Sequence, residues 1–169
     1  MASAPLNLIS CSRTRVFRGI DGMLRNAASL RRINAQFKSY TGLITDVEEF
    51  PQTIPVGITL NMEQTSVGWY SPDAAQLTLI VSVDIEIQSL ILEDLINLWY
   101  AIEQVFYPAT NPANSPPNTD RLKVQSYLQS LGARTGVMTF QAPGMPKIDG
   151  GRMYARGMIK IDTYDLLDP

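Results

Sequence analysis

The chain has 169 residues, of which 45% are hydrophobic, and this composition is typical of one soluble globular domain. Its formal net charge of −2 argues against a general affinity for nucleic acid. No run of about 18 apolar residues is present, so no membrane span is predicted. The stretch Met1–Ile9 has neither a basic leader nor a long apolar segment, so we expect folding in a cytoplasm.

The residue inventory argues against catalysis. The chain has no histidine, which removes Ser–His–Asp and Cys–His nucleophile arrangements together with the commonest metal ligand and general base. The single cysteine, Cys11, has no partner for an internal disulfide or a thiolate zinc site and is predicted to be inert. We therefore predict no catalytic, cofactor-binding or metal site; an enzyme would have to use Asp, Glu or Lys chemistry.

The N-terminal quarter is predicted to be an irregular arm over residues 1–11 and then an amphipathic helix over residues 12–30. Apolar residues recur there at spacings of three and four, and arginines lie between them. This quarter is basic, whereas the middle of the chain is acidic. Such segregation favours surfaces that meet oppositely charged neighbours, although a solvated basic helix explains it equally well.

Strands are predicted next. Arg32 to Tyr40 is a short strand or an extended segment, and the two prolines within residues 50–55 exclude a helix there. Apolar residues then alternate from Val56 to Gln64, which predicts a half-buried strand. Ser66 to Asp73 is predicted to be a loop or a hairpin tip.

The clearest elements are a long strand over residues 77–88 and a helix that begins at Leu92. In the strand, apolar residues occupy every odd position, which places one face on a core and the other in water or against a polar partner. After Ser89 the period becomes helical, and Pro108 ends the helix. We assign its whole apolar set to the core. That set is Leu92, Leu95, Ile96, Trp99, Ile102, Val105 and Phe106.

The C-terminal third is predicted to begin with an exposed loop over residues 108–120, rich in proline and asparagine. A short strand over residues 137–140 and an alternating strand over residues 152–164 follow. Residues 165–169 are predicted to be a C-terminal arm. The chain is thus expected to be one domain with two arms and one long loop.

Three groups of residues are candidates for partner contact. Asp84 and Glu86 lie on one strand face about 7 Å apart, a spacing that a carboxylate pair or a divalent ion could use. Acids at this spacing are usually just the solvent face of a strand. The alternative that bears on function is that Asp84, Glu86 and Gln88 face a polar partner or a negatively charged lumen. Trp69 and Tyr70 are candidate interface residues, because aromatic side chains are enriched in interfaces, unless they pack over the chain's own sheet. Three loop asparagines complete the candidates: Asn111, Asn114 and Asn118.

The order of elements resembles the tail terminator (tail completion) proteins of tailed bacteriophages. The resemblance is one of layout and includes no short diagnostic motif. The corresponding pieces are 12–30, Phe50–Gln64, Leu77–Gln88, Leu92–Tyr107 and Val137–Tyr164.

The resemblance implies an α+β fold, with an antiparallel sheet of about four or more strands and two main helices packed against it. It also implies a hexameric ring in the virion, assembled in the cytoplasm of a bacterial host. Such a ring caps the tail tube, ends tail polymerisation and joins the tail to the neck or head connector, and DNA passes through its lumen without sequence readout. The loop at 108–120 suggests contact with a sheath protein.

Two alternatives stay open. The chain is also compatible with another neck, head–tail connector or tail-tube protein of a phage. The alternative from a different class is a small-ligand-binding or regulatory α+β domain.

Overall fold

The computed structural model describes residues 12–40, 50–63, 67–71, 74–106 and 134–166. In these ranges the chain forms three helices and a seven-stranded sheet, which confirms the predicted α+β class. The elements in chain order are α1 (Ser12–Asn26), α2 (Ala28–Arg32), β1 (Gln36–Tyr40), β2 (Val56–Glu63), β3 (Val67–Ser71), β4 (Ala74–Ile87), α3 (Leu92–Phe106), β5 (Arg134–Gln141), β6 (Lys147–Asp149) and β7 (Arg152–Leu166).

The sheet is built around the antiparallel pair β4–β7, which joins Ala74 to Leu166 at one end and Ile87 to Met153 at the other. The strand order is β1-β2-β4-β7-β5, with β3 beside β4 and β6 beside β7. The expected antiparallel pattern is wrong for one pair, because β1 and β2 are parallel. Parallel neighbours are joined by a crossover connection rather than by a tight turn.

The two faces of the sheet differ because β4 alternates as predicted. Leu79, Val81, Val83 and Ile85 are buried and, with Ile159 of β7, form the core under the helices. The even positions of β4 and β7 point to the opposite side, which we call the polar face. Its one apolar member in the described part of β4 is Ile80, the exception to the alternation in the sequence.

The predicted helix over residues 12–30 is divided at Ala27, whose ψ of 124° is extended rather than helical. Arg31 stabilises the division, since its side chain donates to the Arg25 carbonyl at 3.1 Å and to Asn26 Oδ1. The change of direction brings Leu30 fully into the core.

Helix α3 is seated on β7 and β5 by two aromatic contacts. The Trp99 ring lies directly over Gly157 of β7, so close that a Cβ at Gly157 would be 2.5 Å from the ring. The Phe106 ring packs against Phe140 of β5 with the ring centroids 5.8 Å apart. The helix therefore covers the β7–β5 half of the sheet.

The boundaries differ from the sequence prediction at two places. The segment predicted to be a loop or hairpin tip includes β3, which pairs with β4 from Val67 opposite Leu77. The predicted arm at 165–169 is wrong for its first two residues, because β7 continues to Leu166 opposite the extended start of β4. The predicted arm at 1–11 and the loop at 108–120 lie outside the described residues.

Candidate interaction surfaces

The polar face carries the two acids that the sequence singled out, and the structure pairs each with an arginine of the same chain. Asp84 faces Arg156 across the β4–β7 pair, with Arg156 Nε donating to Oδ1 at 2.6 Å and Nη2 to Oδ2 at 3.1 Å. Asn61 of β2 donates to Asp84 Oδ2 at 3.0 Å from the other side. The hydrogen bond from Arg156 to Asp84, then the charge of Asp84, raises the pKa of Arg156 above its ordinary value.

Glu86 is paired with Arg152, the first residue of β7, whose Nε lies 2.6 Å from Glu86 Oε1. That N–H is not directed along a hydrogen bond, so the contact is mainly electrostatic. Arg152 Nη2 donates to the Ile54 carbonyl at 2.8 Å, and Nη1 to the Gln52 carbonyl at 3.4 Å. This arginine is only 1% exposed and fixes the segment before β2 to the start of β7.

Two further side-chain hydrogen bonds lie on the polar face. Thr78 donates to Asp162 Oδ1 at 3.0 Å, and Ser82 donates to Glu63. Gln88 is exposed, and its side chain donates to the Gln52 carbonyl. The structure thus brings Asp84 and Glu86 to one face, as the period predicts, whereas Gln88 lies just after β4 beside Val56 and Leu98 on the helix side. Each of the three has a partner within the chain. Contact of these three residues with another molecule remains a prediction.

The largest departure from the sequence prediction is on α3, where Leu92 and Ile96 were assigned to the core. Ile96 is 58% exposed, and Leu92 and Tyr100 are about half exposed. Residues four apart share one side of a helix, so these three form a continuous line, which we call the apolar stripe. Leu90 and Ile91, directly before the helix, are exposed as well.

The apolar stripe exists because the apolar side of α3 is wider than the part of the helix that the rest of the chain covers. Leu95, Trp99, Ile102 and Phe106 point at the sheet and are buried, together with Leu98. The stripe lies beyond that covered part of the helix, on the side away from α2. Large exposed apolar groups that are contiguous are typical of interaction surfaces rather than of the free surface of a monomer.

A cavity of about 470 Å³ lies between α2, α3 and the adjoining ends of β2 and β4. Its lining is largely apolar and includes Ile33, Val56, Leu98 and Ala101, with Asp94 and Asn97 at the α3 side. A volume of this size is within the range of small-ligand sites, about 300–1,000 Å³. A second hollow of about 500 Å³ lies on the polar face beside Asp84, Arg156 and Met145.

The remaining candidates are placed only in part. Trp69 and Tyr70 lie in β3, but the structure describes only their backbone and not their side chains. Asn111, Asn114, Asn118 and Cys11 are outside the described ranges altogether. Among the residues that are described, no group of three or more His, Cys, Asp or Glu side chains is arranged to hold a metal ion.

Sequence reasoning missed both Arg152 and the apolar stripe. The alternation of β7 could have indicated Arg152, since it falls among the polar positions of that strand. Glu86, at a polar position of β4, lies beside it. No sequence signal distinguishes Ile96 from Leu95. The way in which α3 is placed on the sheet decides which of them is covered.

No protein-family model matches the chain, and no curated protein matches it significantly. None of the helices in the described ranges is long and apolar enough to cross a membrane.

Proposed function

We propose that this protein is a structural subunit of a phage tail, a tail terminator that forms a hexameric ring. In this proposal the ring caps the tail tube, ends its polymerisation and joins the tail to the neck or head connector. The tube protein, the connector and a sheath protein are its proposed partners, and DNA passes through the lumen. The virion is the proposed location.

The apolar stripe is the observation that carries the proposal. Leu92, Ile96 and Tyr100 expose hydrophobic surface to water on a helix that is otherwise firmly packed. A ring subunit needs such a surface, because its stability in the assembly depends on burying apolar area between copies. The β4–α3 unit agrees with this role, since the paired β4 and β7 hold α3 in a fixed position.

The ion pairs of the polar face bear on the charge of the proposed lumen. Because Asp84 and Glu86 are each paired with an arginine, this face has charges of both signs close together. A lumen lined by such pairs attracts DNA phosphates only weakly, which suits passage without sequence readout. The proposed role of Asp84 and Glu86 is therefore to line a neutral polar surface rather than an acidic one.

Native mass spectrometry and negative-stain imaging test the ring directly. We expect closed rings of six copies from the purified protein, alone or at the ends of added tail tubes. A protein that stays monomeric at every concentration and does not bind tube ends would contradict the terminator function. Rings of another stoichiometry that bind the connector and leave tube ends free would favour another neck protein.

The cavity beside α2 is the observation that favours a second candidate, a small-ligand-binding domain. Its apolar lining and its volume of about 470 Å³ suit a small apolar molecule. The same cavity lies at the junction of α2 and α3, where imperfect packing between two helices also leaves space. The apolar stripe has no role in this alternative, so we place it second.

A further inference from the structure

The helical layer has a strong charge asymmetry. Helices α1 and α2 contain six arginines and one acid, Asp21, which is paired with Arg25 at 2.8 Å. Helix α3 contains three acids and no basic residue. Two of these acids, Glu93 and Glu103, lie beside the apolar stripe; Glu93 is exposed and Glu103 is half-buried. One end of the layer is therefore basic and the other is acidic and apolar.

The two surfaces differ in their surroundings, although α1 itself packs against β4, β7 and α3. Arg25, near the end of α1, donates to the carbonyl of Phe37 in β1, and Ile33, just after α2, lines the cavity beside Val56 of β2. Helix α3 packs on β7 through the contact of Trp99 with Gly157, and the side of α3 toward α2 is the one that carries Asn97 and Ala101. Because the stripe lies on the side of α3 away from α2, it faces away from the basic surface of its own chain.

We propose that the apolar stripe and its flanking acids bind the basic surface of α1 and α2 on a second copy of this chain. This inference rests on the proposed ring function and names the contact that closes the ring. A contact between two different surfaces is head-to-tail, and repetition of such a contact generates a ring when the rotation closes.

Complementary charge and apolar area both support this occupant. Arg18 and Arg32 are exposed, and neither forms an ion pair within the described part of the chain, so both are available to Glu93 and Glu103 of a neighbour. Ile33 is 40% exposed at the end of α2 and gives the stripe an apolar contact there.

The exposed apolar surface is also suitable. Leu90, Ile91 and the three residues of the stripe are each more than half exposed, and a contiguous apolar patch of this kind suits the centre of an interface that buries about 800 Å² on each partner. An interface of that kind needs a polar rim around its apolar centre, and the acids and arginines supply one.

Charge reversal on each surface separately tests the contact. The acid-reversed variant carries Glu93→Lys with Glu103→Lys, and the base-reversed variant carries Arg18→Glu with Arg32→Glu. Each places like charges across the proposed contact, so we expect self-association to weaken about ten-fold or more in low salt. Sedimentation velocity over a range of concentrations measures this, with circular dichroism as the check on folding.

Restoring complementarity is the decisive part of the experiment. A chain carrying all four substitutions has the wild-type net charge and again opposes unlike charges, so we expect its assembly to return. An equimolar mixture of the acid-reversed and base-reversed variants is also expected to assemble, because each then meets its complement. Lys160→Glu, a single reversal on the polar face, is the control and is expected to assemble like wild type.

Three outcomes overturn the inference. If wild type assembles and neither reversal weakens it, the ring stands and this contact is wrong. If only the acid-reversed variant is affected, or the fourfold variant stays dissociated, the stripe meets a surface other than α1 and α2. If wild type never associates, alone or on tube ends, the proposed function fails together with the inference.

Discussion

At the scale of single residues, Arg152 illustrates how a charged side chain can hold distant parts of the chain together. A buried guanidinium needs a counter-charge and acceptors: Glu86 supplies the charge, and the carbonyls of Gln52 and Ile54 accept from Nη1 and Nη2. Arg156 lies on the same strand and face and is also paired with an acid, but it is 62% exposed. Arg152–Glu86 and Arg156–Asp84 therefore allow a buried ion pair to be compared with an exposed one on the same strand.

We predict that Arg152→Ala lowers the free energy of unfolding by about 3 kcal/mol, because Glu86, whose side chain is only 13% exposed, is left without a counter-charge. Arg156→Ala is expected to cost no more than about 1 kcal/mol, since water already screens that pair. Arg152→Lys should recover little, because an ammonium group cannot reach Glu86 and both carbonyls in the fork geometry of arginine. Urea denaturation followed by circular dichroism measures all three.

The double variant Arg152→Met with Glu86→Gln removes both charges and serves as the control. It is expected to be more stable than Arg152→Ala, because no unpaired buried charge remains. Equal losses for Arg152→Ala and Arg156→Ala would show that the buried pair is no more important than the exposed one.

At the scale of elements, the position of α3 depends on the close approach of Trp99 to Gly157. A Cβ at residue 157 would lie 2.5 Å from the Trp99 ring and 3.1 Å from the carbonyl oxygen of Gln141, so a methyl group there must displace the helix. We predict that Gly157→Ala lowers the free energy of unfolding by about 1–3 kcal/mol through overpacking. Adding Trp99→Phe should restore part of the loss, because the ring that clashes becomes smaller.

Gly22→Ala is the matched control for this prediction. Gly22 lies in α1, and a Cβ there would meet nothing within 4 Å. Since alanine is the better helix former by about 1 kcal/mol, the control is expected to be neutral or stabilising. A Gly157→Ala chain as stable as wild type would mean that α3 shifts over the sheet without cost.

The sequence predicts elements well where a single period operates over a long stretch. The strict alternation of β4 and the helical period of α3 each identify an element and its buried side, and Leu79 and Ile102 are in the core as expected. The parallel pairing of β1 with β2 was not predictable, because the residues of β1 indicate an extended conformation and not its neighbour.

The candidate surfaces were predictable only in part, because a sequence period shows which side of an element a residue lies on but not what lies opposite that residue. Period two places Asp84 and Glu86 on the polar face, but their partners come from β7, more than sixty residues away along the chain. Period 3.6 identifies the apolar side of α3 but not how much of it is covered. The exposure of Ile96 becomes visible only when the helix is placed on the sheet.

At the scale of the whole molecule, ring formation and ligand binding predict different effects of protein concentration on the melting temperature. Assembly stabilises the folded chain by mass action, so the melting temperature must rise with protein concentration. A monomeric ligand-binding domain has a melting temperature that does not depend on its own concentration and rises only when a ligand fills the cavity. The two proposed functions are therefore separable without knowing the partner.

We predict that the melting temperature of the wild-type protein rises by roughly 5–10 °C over a hundred-fold increase in concentration. Ile96→Gln should abolish most of this rise and leave the melting temperature at the lowest concentration unchanged, because Ile96 is 58% exposed in the single chain. Asn97→Gln places the same side chain one residue along the helix, outside the stripe, and should retain the rise. A lower melting temperature for Ile96→Gln at every concentration would show that Ile96 stabilises the fold of one copy, and the stripe would then lose its role in assembly.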